Sequence, residues 1–125
     1  MIHTIEQFGW TARIVWDVLS QQGPLDFNEI QIHSHLRAYE IHIAIGWLAR
    51  ENKICVNSNK YLLSETNLTP DIGTNAGVIW KILHTHGASD INHLKNQSHL
   101  DTEDIYEAIG WLAREKKINL RMKNP

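Results

Sequence analysis

Disulfide bonding within the chain is excluded at once, because there is a single cysteine, Cys55, and a lone thiol cannot close an internal loop. No basic segment followed by an apolar run opens the sequence, so no secretory leader is expected. The Asn-x-Ser/Thr triplets at Asn67 and Asn96 then carry no weight as glycosylation sites. No stretch approaches the roughly 20 apolar residues that a membrane-spanning helix requires. Together these absences fit a reducing, cytoplasmic setting and no role in a membrane. An excess of positive charge is missing too: 12 Lys and Arg face 14 Asp and Glu, for a formal net charge of −2. Domains that bind nucleic acid usually show a basic face, so composition weighs mildly against one.

Catalytic signatures are also missing. There is no nucleophile elbow, no phosphate loop and no HExxH helix. Cys55 lies in a run that reads as a strand, where a thiol packs rather than attacks. The eight histidines include two His-x-His triplets, at His33-Ser34-His35 and His84-Thr85-His86. On a helix, positions i and i+2 point apart, and no cysteine cluster accompanies them, so surface histidines rather than metal ligands are expected. The chain is therefore expected to be no enzyme, with no cofactor, no metal and no small-molecule substrate.

What the sequence does contain is itself, twice. "AIGWLARE" occurs at 44–51 and again at 108–115. Sliding residues 1–61 onto 65–125 without a gap leaves about 21 positions identical, among them Gly9/Gly73, Trp16/Trp80, Gly23/Gly87, Asp26/Asp90 and His35/His99. The block from Ile41 to Ile54 matches Ile105 to Ile118 almost throughout. The chain is a tandem duplication of one unit.

The unit reads as three helices and a hairpin. Residues 10–21 carry Ile14, Val15, Val18 and Leu19 at helical spacing, and Gly23-Pro24 stops that helix. "LDF" is a short extended piece. "NEIQIHSHL" is a second helix with Asn28 as candidate N-cap. A third spans about 38–51, with Ile41, Ala44, Ile45, Leu48 and Ala49 on one buried stripe. "KICVNSNKYLL" then reads as a hairpin turning at Asn57-Ser58-Asn59. This is the order of a winged helix-turn-helix.

The second unit repeats the order, with Val78, Ile79, Ile82 and Leu83 on its first helix and Ile105, Ala108, Ile109, Leu112 and Ala113 on its third. Its wing is cut short, leaving one strand whose free edge invites pairing with another chain or with the first unit. Thr69-Pro70 reads as an N-cap followed by proline in the first turn. The expected fold is mainly α with small β wings (α+β), in two tandem units, residues 1–64 and residues 65–125.

The stretch "IGTNAGVIWKILHTHG…IYEAIGWLAREKKI" resembles a small bacterial and archaeal family of winged helix-turn-helix domains of unknown function. The second unit carries the likeness from Ile72 to Leu120. The first keeps the third-helix motif but has Phe8 where the second has Ile72, and Arg13 where it has Gly77. The resemblance implies the fold and implies no activity.

In winged helices that bind DNA, the third helix enters the major groove and its first turns read bases. Here those turns are Ala38, Tyr39, Glu40, His42 and Ile43 in one unit, and Asp101 to Asp104, Tyr106 and Glu107 in the other. The second set offers four carboxylates and no cation, which repels phosphate. Asp101-x-x-Asp104 resembles a capping box, and acids are welcome at a helix N-terminus. Arg50-Glu51 and Arg114-Glu115 recur and read as structural ion pairs.

Gly46-Trp47 and Gly110-Trp111 flank the buried stripes. Glycine within a helix costs about 1 kcal/mol relative to alanine and is best tolerated where another backbone comes close. The tryptophans either pack on their own first helices, Trp47 near Trp16, or offer an apolar surface to the other repeat, a second chain or a foreign partner. Tyr39, Ile43, Gly46, Trp47, Gly110 and Trp111 are thus the candidate protein interface. The expected function is non-enzymatic protein interaction or assembly in a regulatory context, self-association into a homodimer included. The alternative is a DNA-binding transcription regulator that contacts phosphates through a basic wing, with Lys53, Lys60, Arg114, Lys116, Lys117, Arg121 and Lys123 as candidate contacts.

Overall fold

The computed structural model describes residues 2–3, 5–120 and 122–123. Along the chain come β1 (Ile2–His3), α1 (Ile5–Gln22), α2 (Phe27–Ser34), α3 (Ala38–Arg50), β2 (Ile54–Asn57) and β3 (Lys60–Leu63). A π-helical turn (Thr69–Gly73) then runs straight into α4 (Thr74–His86), followed by α5 (Ile91–Ser98), α6 (Thr102–Arg114) and β4 (Met122–Lys123). The helix–helix–helix–hairpin order of the first repeat and the three helices of the second are those expected from sequence.

Local chemistry accounts for most boundaries. Asp26, not Asn28, caps α2: its carboxylate accepts from the Glu29 N–H at 2.8 Å, and Glu29 accepts from the Asp26 N–H at 3.0 Å. This reciprocal box satisfies two donors that the helix itself leaves free. Asp90 caps α5 by a single bond, its carboxylate accepting from the His93 N–H at 2.8 Å. Both helices end on a left-handed histidine, His35 and His99. Asp101 precedes α6 in extended backbone but makes no side-chain cap bond, so the expected box with Asp104 does not form. Pro70 does sit in the first turn after the linker, but the residue before that turn is Leu68, which is buried, and Thr69 makes no cap.

The third-helix stripes are buried as expected, Ile41, Ala44, Ile105 and Ala113 completely. The first helices differ. α1 starts at Ile5 and buries Phe8, Thr11, Ala12, Val15 and Leu19, while Ile14 and Val18 are only half-buried. In α4, Val78 is exposed and Ala76 and Ile79 face inward. The helical period is right and its phase is shifted, because the buried face is chosen by two neighbours rather than one.

There are two hydrophobic clusters, and neither is confined to one repeat. The first joins Ala12, Val15, Leu19, Ile30, Ile41 and Ile45 of the first repeat to Leu68 and Ile72 of the second. The other joins Ala76, Ile79, Leu94, Ile105 and Leu112 to Phe8 and Ile43 of the first repeat. Phe8 and Ile72 are equivalent positions, so each repeat sends the start of its first helix into the other's core.

The β structure follows the same exchange. β2 and β3 pair antiparallel around Ser58 and Asn59, both left-handed, and Leu25 bridges to Tyr61. Asn67 of the linker then grips β2, accepting from the Val56 N–H at 3.0 Å and donating to its carbonyl at 2.7 Å. In the second repeat β4 pairs with β1, Ile2 opposite Lys123 and His3 opposite Met122. The cut-short wing is completed by the first repeat.

Candidate functional site

α3 and α6 lie side by side. Tyr39 meets Tyr106 with ring centres 5.7 Å apart, His42 meets Glu107, and Arg50 meets Glu115. Each residue thus faces one at nearly the same place in the other repeat, so the helices run in the same direction about a local twofold. Their closest approach is at the glycines. A methyl group on Gly46 would overlap the carbonyl oxygen of Glu107, and one on Gly110 would overlap that of Ile43. Positions 43 and 107 are themselves equivalent, so the contact is reciprocal. Glycine is required here for backbone approach and for no other reason.

The indoles behave differently. Trp47 lies over Gly9, where an added side chain would come within 2.9 Å of the ring, and Trp111 lies over Gly73 in the same manner, at 3.3 Å. Both are half-buried. Above each stands a guanidinium from the opposite repeat: Arg114 over Trp47 at 5.9 Å and Arg50 over Trp111 at 5.8 Å. The ion pairs read from sequence within each repeat are in fact crossed. Arg50 Nε donates to Glu115 at 3.0 Å, and Arg114 Nε to Glu51 at 2.9 Å. Lys53 adds to Glu51 at 3.7 Å and Lys117 to Glu115 at 3.6 Å.

The seam breaks its symmetry at the start of the two helices, where Tyr39, His42 and Ile43 have Glu103, Tyr106 and Glu107 as counterparts. Ile43 is fully buried in the second cluster, but its counterpart Glu107 pairs with His42 Nδ1 at 2.9 Å, both side chains mostly covered. Phe27 stacks on His42 with ring centres 4.4 Å apart. Burial pushes the Glu107 carboxyl above its usual range, and the carboxylates of Asp104 and Glu103 add to the shift, outweighing the pull of His42. The Tyr61 hydroxyl is pushed up to about 12 by burial and by the charge of Glu107.

A carboxyl raised on folding holds its proton more tightly in the folded chain than in the unfolded one. That contribution to stability is present below the unfolded value and is lost as pH rises through the folded value. Glu107→Gln removes this titration while an amide still bonds His42. The expected result is that the parent loses melting temperature relative to the variant from about pH 4 upward. A constant difference between the two melting curves across pH would contradict the burial argument.

The sequence-derived interface residues are therefore together, but their neighbour is the other repeat. Ile43, Gly46 and Gly110 are covered by it. Tyr39, Trp47 and Trp111 are half-covered, so the tryptophans both pack on their own first helices and border the seam. Of the candidate phosphate contacts, Lys53 and Arg114 share Glu51, and Lys117 shares Glu115 with Arg50. Lys60 and Lys116 are exposed. Arg121 lies outside the described residues, and Lys123 is described only as the strand partner of Ile2. Sequence reasoning missed the Gly9 and Gly73 seats, though both glycines recur, and the Phe8/Ile72 exchange, which differs between repeats.

Among the described residues no group of three or more His, Cys, Asp or Glu is arranged to hold a metal, and no helix is long and apolar enough to cross a membrane. A family model described as a winged helix-turn-helix domain (DUF2582) matches the chain twice, over residues 3–67 and 63–125. No curated protein and no solved structure matches it.

Proposed function

The chain belongs to the winged helix-turn-helix family whose model covers both of its halves, and from that premise we propose that it is a binding module without catalysis that recognises proteins rather than reading DNA. The observation that carries this reading is the burial of the would-be recognition helices. A reader of the major groove must leave one helix face open to base edges. In α3 the stripe from Ile41 to Ala49 faces its own core, and Ile43 and Gly46 face α6. Inserting α3 or α6 into DNA would require breaking a backbone-to-backbone contact. The acids Asp101, Glu103 and Asp104 at the start of α6 add repulsion.

A basic wing is the remaining route to DNA. Against it, Lys53, Arg114 and Lys117 are interleaved with Glu51 and Glu115 and do not form the uninterrupted row of cations that a phosphate backbone calls for. The test is fluorescence anisotropy of random-sequence duplex DNA titrated with the full chain over a salt series. No saturable binding is expected at low salt. Affinity that falls steeply as salt rises would mean counterion release by phosphate contacts, and the regulator reading would replace this one.

A further inference from the structure

The crossed ion pairs border two clefts that are the same place in the two repeats. Gly9, Ala12, Trp16, Trp47, Glu51 and Lys53 line one of them. Their counterparts 64 positions on, Gly73, Ala76, Trp80, Trp111, Glu115 and Lys117, line the other. The volumes are about 420 and 240 Å³, enough in each for a large side chain, against roughly 300–1,000 Å³ for sites that take whole small molecules.

Each floor is aromatic and partly uncovered. Trp80 remains 41% exposed, and clustered exposed aromatics of this kind mark interaction surfaces. Each rim has an excess of cations. In the first cleft Lys53 and Arg114 hold the lining carboxylate Glu51 between them, and Arg13, which also lines the cleft, is paired with Asp17 at 3.1 Å. In the second, Arg50 and Lys117 surround Glu115. These local excesses stand on a chain whose formal net charge is −2. The chain's own Glu51 and Glu115 already display what these rims accept: a carboxylate at 2.9–3.0 Å from a guanidinium that lies over an indole.

We propose that the two clefts are twin docking sites for acidic peptide segments, each site seating one large apolar side chain on the tryptophan floor and a neighbouring carboxylate on the cationic rim. This rests on the protein-binding reading above and specifies its partner. An acidic segment fits better than nucleic acid because each rim offers two or three cations around an apolar seat, not the row of cations that a phosphate backbone requires. Because Arg114 and Arg50 cross between repeats, each cleft is complete only when both repeats are present. The first cleft is the roomier of the two, about 420 against 240 Å³, so it is expected to bind more tightly.

The test uses the full chain and a fluorescein-labelled peptide of roughly twelve residues that alternates Asp or Glu with Leu and Phe. Anisotropy is expected to show saturable binding of two peptides per chain. Lys53→Glu and Lys117→Glu alter exposed side chains and are each expected to weaken one site about tenfold or more, leaving one tight equivalent. The double variant should bind none, with its circular dichroism unchanged. Trp80→Ala, at an exposed position, should weaken the second site alone. No saturable peptide binding, or a double variant that binds like the parent, would overturn the docking proposal while leaving the protein-binding reading to other surfaces. A single-stranded oligonucleotide that binds more tightly than the peptide, and is lost in the double variant, would overturn both.

Discussion

Gly46→Ala and Gly110→Ala are each expected to lower stability by about 3 kcal/mol, near the upper end for overpacking, because the added methyl meets backbone and not a side chain that can rotate away. For a chain of this size that is a fall of roughly 10 °C in melting temperature. The obstacle at Gly46 is the Glu107 carbonyl and at Gly110 the Ile43 carbonyl. Relief requires α3 and α6 to part, which would also separate the crossed pairs Arg50–Glu115 and Arg114–Glu51. Gly77→Ala is the matched control. It lies in α4 with nothing within 4 Å of an added Cβ, so alanine should stabilise by up to about 1 kcal/mol through helix propensity alone. Thermal melts of the three variants decide the matter. If Gly46→Ala and Gly110→Ala melt beside the parent, the two helices are not in backbone contact.

Phe8→Ala is expected to cost about 3–5 kcal/mol, the range for emptying a buried aromatic site, and to do so in the repeat to which Phe8 does not belong. Phe8 is 1% exposed and packs in the cluster built by Ala76, Ile79, Leu94 and Leu112. Hydrogen exchange measured by mass spectrometry should therefore accelerate in α4, α5 and α6 at least as much as in α1. The reciprocal variant, Ile72→Ala, should loosen α1 and α3, at about 2–5 kcal/mol, because Ile72 packs with Ala12, Val15 and Ile41. Exchange confined to the mutated repeat in both variants would show that the two cores are separate. Denaturation in a single transition is expected for the parent, since no element of one cluster can leave without exposing a residue of the other.

These expectations bear on why the chain carries its motif twice. Each copy of "AIGWLARE" divides its labour along the helix. Ala44, Ile45, Leu48 and Ala49 fill the copy's own core, Gly46 admits the partner backbone, Trp47 covers Gly9 and borders a cleft, and Arg50 and Glu51 trade partners with the other copy. A duplicated unit with a self-complementary face needs no second chain to satisfy that face. The pair of tryptophan clefts stays open after the two copies close on each other.

The helical periods, the turns at Gly23-Pro24 and Ser58-Asn59, the gap-free repeat and the family likeness were all legible in the residues, because they depend on backbone preferences and on patterns a few positions long. The third-helix stripes were legible for the same reason. The glycines of the motif could be singled out as sites of close approach, but not their partner, since a missing side chain has the same spelling whether it faces another repeat, another chain or a ligand. The direction of the ion pairs was not legible: Arg50 and Glu51 are neighbours in sequence, but adjacent helix positions do not face each other, and the oxygen within reach belongs to Glu115. Nor was the exchange of Phe8 and Ile72; for the cut-short wing, pairing with the first unit was one of two readings of its free edge, and β1 takes that place. By itself, then, the sequence determined a duplicated unit of three helices with a wing, and which stripe of each third helix is apolar. Tertiary structure decided that the two units close on each other through α3 and α6, because burial, charge pairing and backbone contact are settled by distance in space, and residues 63 or 65 apart in the chain come within a hydrogen bond of one another only after folding.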